Sequence, residues 1–349
     1  MILFYSILTF FWAFFIALFA IPSIIQVAHK KQLLDIPSDR RLHSENTPRL
    51  GGLAIFAGFI SSLMLFGEIN HSVQKLIAAT IVIFFIGLKD DMVSVSAFKK
   101  FFVQILATSI IVFLGDVRIV NFQGVMGITA LPEGFEYLFT LIVVLGITNA
   151  FNLIDGLDGL AGMITVLTCC IYAGVFFFMG GQSSNSELLI CFCLMGGVVA
   201  FLKYNIYKAQ IFMGDTGSLI CGFIIAFLAI KVVMLPSIET GIDIPLPVLA
   251  IAPIILPVAD TLRVFTLRLL DGHSPFAPDN NHLHHRLSQL GIAPITIVLL
   301  ACIYTLVNTI LFVFIFKIGV TWLIAGMFVL VFLVMFAIEL YYRSKIKLC

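Results

Sequence analysis

Eleven apolar runs divide this chain of 349 residues, near 2–25, 50–67, 74–89, 101–115, 135–151, 160–180, 187–203, 217–235, 246–267, 293–315 and 320–341. Crossing a bilayer as a helix takes roughly 17–25 apolar residues, and all but the shortest runs meet that length. A soluble chain of this size folds into two or three cores, each needing a polar shell. With 61% hydrophobic and 11% charged residues, against about 45–50% and about 25% in soluble domains, the shells cannot be built. The expectation is an all-α polytopic membrane protein of about eleven spans, forming one domain over 1–349. A net charge of +1 gives no electrostatic footprint for nucleic acid. The seven cysteines form no CxxC pair and sit mostly inside apolar runs, where they read as small core residues.

The first run is too long for a signal-peptide core and lacks a basic leader, so it reads as an uncleaved anchor. His29, Lys30 and Lys31 follow it, which predicts a cytoplasmic flank and an external N-terminus. Alternation then makes 26–49, 90–100, 152–159, 204–216, 268–292 and 342–349 cytoplasmic. Of the 20 Lys and Arg residues, all but Lys75, Arg118, Lys231 and Lys317 fall in or beside these segments. That asymmetry is what positive-inside sorting demands, and it puts the C-terminus in the cytoplasm.

Four polar clusters stand out at the ends of runs, and the topology assigns all of them to the cytoplasmic side. Acidic residues at membrane depth are costly, so their default reading is functional. Asp90-Asp91 follows Lys89; adjacent carboxylates repel, and both stay ionised only beside a cation or well-placed donors. A solvated helix end is the plainer reading of that pair. The run from Asn149 to Gly159 holds Asn149, Asn152, Asp155 and Asp158. At helical pitch Asn152, Asp155 and Asp158 share a face, and their oxygens suit Mg²⁺, which takes one or two protein groups besides phosphate oxygens. Gly156 and Gly159 are expected to let a substrate approach the backbone. Met213-Gly214-Asp215-Thr216-Gly217-Ser218 opens the eighth run, where Asp215 either holds a metal beside an anion-attracting helix start or caps the helix. His282, His284, His285 and Arg286, with Asp279, occupy the longest cytoplasmic loop. No Cys or Glu partner has zinc-site spacing, so hydrogen bonding to phosphate or sugar oxygens is expected, against the plainer reading of a solvated loop. Lys99 or Lys100 is a candidate diphosphate contact, whereas Arg40-Arg41 reads as membrane anchoring.

Taken in order, these clusters and Pro37, Arg40-Arg41-Leu42-His43, Thr47-Pro48 and Gly51-Gly52 resemble the polyprenyl-phosphate N-acetylhexosamine-1-phosphate transferases. The resemblance runs from about 35 to 290. It implies ten or eleven membrane helices, a cytoplasmic site in the bacterial inner membrane, and Mg²⁺ dependence, with Mn²⁺ as the alternative ion. The implied reaction moves a sugar-1-phosphate from a UDP-sugar to undecaprenyl phosphate and releases UMP. The histidine cluster and Ser274-Pro275-Phe276-Ala277-Pro278-Asp279 look like the GlcNAc-transferring branch.

Residue by residue, the resemblance makes Asp215 and Asn152 metal ligands. Asp90 and Asp91 handle metal and lipid phosphate, and Asp155 and Asp158 serve catalysis or nucleotide contact. Asn205 and Phe212 meet the uracil; Lys100, His282, His284, His285 and Arg286 are expected substrate contacts from their own charge and donor chemistry. This chain reads Lys208-Ala209-Gln210 where relatives carry Pro-Ala-Lys, which displaces the usual lysine. The partners expected are therefore a UDP-sugar, a polyprenyl phosphate and the bilayer, with a homodimer compatible and no nucleic acid. A transporter is the non-enzyme alternative, for which ionisable residues near the midplane and repeat halves would be expected.

Overall fold

The computed structural model describes residues 1–34, 47–236, 245–272, 281–315 and 318–346. Arg40, Arg41 and their neighbours, the 274–279 stretch and Lys317 therefore lie outside the described residues. The described chain is helical, with one isolated bridge between Asn121 and Ala130 in place of any strand. The helices are α1 (Ile2–Lys31), α2 (Gly51–Phe66), α3 (His71–Met92), α4 (Ala97–Ser109), α5 (Phe135–Ile154), α6 (Leu160–Met179) and α7 (Asn185–Asn205). They continue with α8 (Gly214–Val233), α9 (Leu246–Ile251), α10 (Ile255–Leu270), α11 (Leu283–Gln289), α12 (Pro294–Ile310) and α13 (Val320–Ile346).

Among the described residues ten helical stretches are long and apolar enough to cross a membrane, and the shorter apolar α2 makes the eleventh predicted run. The weak run at 101–115 gains its length because α4 continues as a π turn, Ile110–Leu114. The short α11 was not expected; it forms inside the histidine loop.

The bundle is organised around α8, which is buried along nearly its whole length and packs against α5, α3, α2 and α6. In lipid, helices associate through close packing of small residues rather than through hydrophobic drive. Gly222 of α8 shows this: a Cβ there would lie 2.8 Å from Phe151 Cβ and 2.9 Å from the Thr148 backbone on α5. Outlying helices expose apolar rows instead, such as Phe11, Phe15 and Phe19 on α1. That surface suits a solvent of acyl chains.

The ninth run breaks between α9 and α10 at a short 3-10 turn, Ala252–Ile254. Pro253 and Pro257 each remove a donor from the ladder there. Side chains from α6 answer the freed backbone: Tyr172 donates to the Ala250 carbonyl, and Thr168 donates to the Pro253 carbonyl at 3.4 Å. Backbone irregularity at membrane depth requires such replacement partners. Among the described cysteines there is no disulfide, and Cys169, Cys191, Cys193 and Cys221 are buried core residues.

Candidate functional site

The ends of α3, α5, α7 and α10 meet the starts of α4, α6, α8 and α11, and this meeting point collects the polar clusters. The start of α8 is held tightly. Residues 48–52 pair with 212–213 through Phe212 N–H to Pro48 C=O at 2.8 Å, Gly51 N–H to Phe212 C=O and Gly52 N–H to Met213 C=O, both 2.9 Å. Gly52 has no room for a side chain, since its Cβ would sit 2.2 Å from Gly217 N.

The two adjacent aspartates do different work. Asp91 accepts from Asp215 N–H at 2.7 Å, from Thr216 N–H at 2.9 Å and from the Thr216 hydroxyl. It thus caps α8 from another helix, satisfying orphan N–H groups that neither Asp215 nor Ser218 caps. The Ser218 hydroxyl instead donates back to Gly214 C=O at 3.0 Å. Asp90 accepts from Val95 N–H at 2.6 Å, closing the turn into α4, and from Lys100 Nζ at 3.3 Å. Lys100, not the exposed Lys99, reaches the site, and its ammonium also contacts Asp215. Asp90 and Asp215 are close enough to act on each other's ionisation, and Asn152, whose Nδ2 donates to the Ser218 hydroxyl at 2.9 Å, acts on Asp215 in the same way. Two carboxylates, one amide and one ammonium therefore converge from α3, α8, α5 and α4.

The Asp155–Gly159 segment differs from its expected helical form. Helix α5 ends at Ile154, α6 starts at Leu160, and Gly159 between them takes φ +78°. Asp155 and Asp158 consequently sit in a turn rather than on a shared helical face. Burial, and then the charges of Asp215, Asp91 and Asp158, push the Asp155 carboxyl well above the usual range. The two glycines differ in exposure: Gly156 is exposed and Gly159 is buried, and neither has room for a side chain. A Cβ on Gly156 would lie 2.6 Å from His284 Nε2, and one on Gly159 would lie 2.9 Å from Ile206.

The remaining expected contacts are placed unevenly. Asn205 is buried and ties two loops together, accepting from Gly159 N–H at 2.7 Å and donating to Ile211 C=O at 2.9 Å. Phe212 is half-buried in the ladder beside α8, and Lys208 is exposed. His282 and His284 are buried, whereas His285 is half-buried with its ring 4.3 Å from that of His284. Burial, and next the neighbouring His285, lower His284 to about 3 against the opposing charge of Asp260, so its imidazole is neutral. Arg286 is engaged by Asn281, by Glu339 at 3.4 Å and by the Tyr342 ring at 4.4 Å, which anchors α11 to α13.

Sequence reasoning missed Asp260 and Arg263 of α10 and Gln104 of α4. Asp260 binds His282, and Gln104 accepts from Asn149 Nδ2 at 2.7 Å. Charged residues inside the run at 246–267 were the available signal.

Comparison with known proteins follows the same segments. Residues 73–233 match the model of glycosyl transferase family 4. A decaprenyl-phosphate N-acetylglucosaminephosphotransferase of Mycolicibacterium smegmatis is 32% identical over 345 residues, covering 88% of this chain and 82% of its own. The Mycobacterium tuberculosis (strain ATCC 25618 / H37Rv) protein of the same name is 32% identical over 299 residues, covering 79% and 74%. The undecaprenyl-phosphate alpha-N-acetylglucosaminyl 1-phosphate transferase of Escherichia coli (strain K12) is 28% identical over 275 residues, covering 76% and 72%. With identity above 30% across more than two thirds of the chain, this multi-pass membrane protein belongs to glycosyl transferase family 4.

Proposed function

We propose that this protein transfers N-acetylhexosamine-1-phosphate, with GlcNAc-1-phosphate the foremost candidate, from a UDP-sugar to undecaprenyl phosphate, releasing UMP. The lipid-linked diphosphate sugar would start a cell-envelope polysaccharide, made at the cytoplasmic face of the bacterial inner membrane. The observation that carries this reading is the convergence of Asp90, Lys100, Asn152 and Asp215 at helix ends. Such a place meets a soluble nucleotide and a lipid phosphate at headgroup depth. The names of the similar polyprenyl-phosphate enzymes support the same chemistry. The gathering of charge at helix ends favours it over a midplane transport path.

The acceptor phosphate oxygen attacks the sugar-bearing phosphorus, forming a new P–O bond as the bond to the bridging oxygen breaks and UMP leaves with that oxygen. With a second pKa near 6, the acceptor phosphate is largely ionised at neutral pH, so positioning outweighs base catalysis. Among the described residues no three His, Cys, Asp or Glu side chains form a metal cage. Mg²⁺ nevertheless fits, because it needs only one or two carboxylates plus phosphate oxygens. Asp215 and Asp90, with the Asn152 carbonyl oxygen, would hold it, and when bound it neutralises diphosphate charge. Lys100 supplies a fixed positive charge to the same oxygens. Asp155, whose carboxyl retains its proton more readily than an ordinary one, would hold a proton beside the phosphates. His285, half-buried, would be the imidazole that contacts the sugar.

Purified protein, undecaprenyl phosphate, Mg²⁺ and a panel of UDP-sugars test this by UMP release. Release with UDP-GlcNAc that EDTA abolishes is expected. Release with another sugar alone moves the donor, and no release by folded protein overturns the assignment.

A further inference from the structure

The histidine segment is tied to α10 by a buried carboxylate, that of Asp260. Asp260 and His282 each keep only 4% side-chain exposure, and His282 Nδ1 lies 2.9 Å from Asp260 Oδ2. The other partners of Asp260 are Arg263, with Nη2 at 2.9 Å and Nε at 3.3 Å from Oδ1, and Leu283 N–H, at 3.2 and 3.3 Å from the two oxygens. Guanidinium and backbone N–H groups only donate, and a carboxylate flanked by them only accepts. Asp260 thus has no proton to give, and the proton of this contact resides on His282 Nδ1. The opposite nitrogen, Nε2, is buried with no hydrogen-bond partner among the described residues. The His282 ring lies nearly parallel to that of His284, 5.8 Å between centroids at 13°. His284 in turn fills the space over Gly156. A continuous line of contacts runs from α10 through two imidazoles to the turn carrying Asp155 and Asp158.

We propose that Asp260 is a positioning residue for the transfer: it fixes His282 as the Nδ1–H tautomer and, through His284, seats the Asp155–Gly159 turn. His282 then acts through its δ nitrogen, as a structural relay, and not as the substrate contact expected from sequence. The inference rests on the reaction assigned above. Asp260→Asn keeps the shape but presents an amide donor to a ring N–H, which forces the other tautomer or breaks the bond. Such a change at an Asp–His pair leaves geometry nearly intact while lowering turnover.

The test compares Asp260→Asn, His282→Asn and His282→Gln in the full-length protein. Asparagine places an amide donor near the position of Nδ1, and glutamine places its amide near Nε2. UMP release gives kcat and KM for the UDP-sugar, thermal unfolding checks the fold, and ¹⁵N-histidine NMR reads the tautomer. Expected results are a fall in kcat of about 10- to 100-fold for Asp260→Asn with KM within about threefold. His282→Asn should retain at least about tenfold more activity than His282→Gln. The wild-type spectrum should contain an Nδ1–H histidine signal that His282→Asn removes and Asp260→Asn shifts. Activity within twofold of wild type in Asp260→Asn overturns the proposal, as does His282→Gln equalling or exceeding His282→Asn. If Asp260→Asn does not fold, the two His282 variants decide. Absence of UMP release from wild type would instead count against the assigned reaction, while the NMR signal still reports on the Asp260–His282 bond.

Discussion

The two ends of α8 solve the same electrostatic problem in opposite ways. About 30 Å apart by helix geometry, both carry a lysine beside a carboxylate that is largely out of water. At the end remote from the site, Lys231 pairs with Glu187 at 3.2 Å, Ser186 donates to Glu187 at 2.7 Å, and Asn70 donates to Ser186 at 2.9 Å. One cation meets one anion, and the hydrogen bonds close around them. At the site end, Lys100 faces Asp90 and Asp215 together, with Asp91 and Asp155 close enough to act on the same field. Arg49 offsets part of that charge. Removing charge from water is repaid only by good pairing, so a balanced pair reads as architecture. An excess of carboxylates from α3, α8 and the turn after α5 reads as a place reserved for a cation and an anionic substrate.

The comparison breaks most visibly at Asp215. Asp215→Asn should lower the rate of UMP release by about 10³-fold, the scale of losing a principal electrostatic group at the reaction centre. Glu187→Gln should leave activity per folded molecule within twofold, and equal losses from the two variants would erase the distinction drawn here. Lys100→Met comes next, with a fall of about 10²-fold in turnover and a lower unfolding temperature, because Asp90 and Asp215 then face each other without their ammonium. At the remote end the effect should be on stability alone. Glu187→Gln should cost about 3–5 kcal/mol in reversible unfolding by leaving Lys231 unpaired, and the pair Glu187→Gln with Lys231→Met should recover much of it.

A further effect concerns pH. His284 binds its proton only near pH 3 in the folded protein, against 6.5 ordinarily, so below 6.5 the unfolded chain takes up the proton first. Folding stability should therefore fall as pH drops from 6.5 toward 3. His284→Phe should flatten that slope in unfolding scans, and an unchanged slope would show that the ring is not held neutral.

Much of the site was legible because membrane burial makes polar residues conspicuous. Asp90, Asp215 and Asn152 could be picked out since each stands at the end of an apolar run, and the structure brings all of them together with Lys100. Their individual tasks were not legible. Asp91 caps a helix more than a hundred residues away, a role that depends on α3 ending beside the start of α8. Asp155 and Asp158 were placed on a helix by their spacing, yet Gly156 and Gly159 interrupt it, and His284 occupies the space that Gly156 vacates. Arg286 carried the same charge signal as Lys100, but packing against Glu339 and Tyr342 turns it to α13. Asp260 was hidden by the count of apolar residues around it.

The sequence by itself determined the solvent, the number of spans and the grouping of the chemistry at run ends. Each of these follows from the free energy of placing apolar or charged groups in lipid, which depends on residue type and local spacing. Only the tertiary structure decided which carboxylate caps, which meets a lysine and which imidazole is locked to α10. Those assignments depend on contacts between helices distant in sequence, where differences of an ångström in approach settle which donor reaches which acceptor.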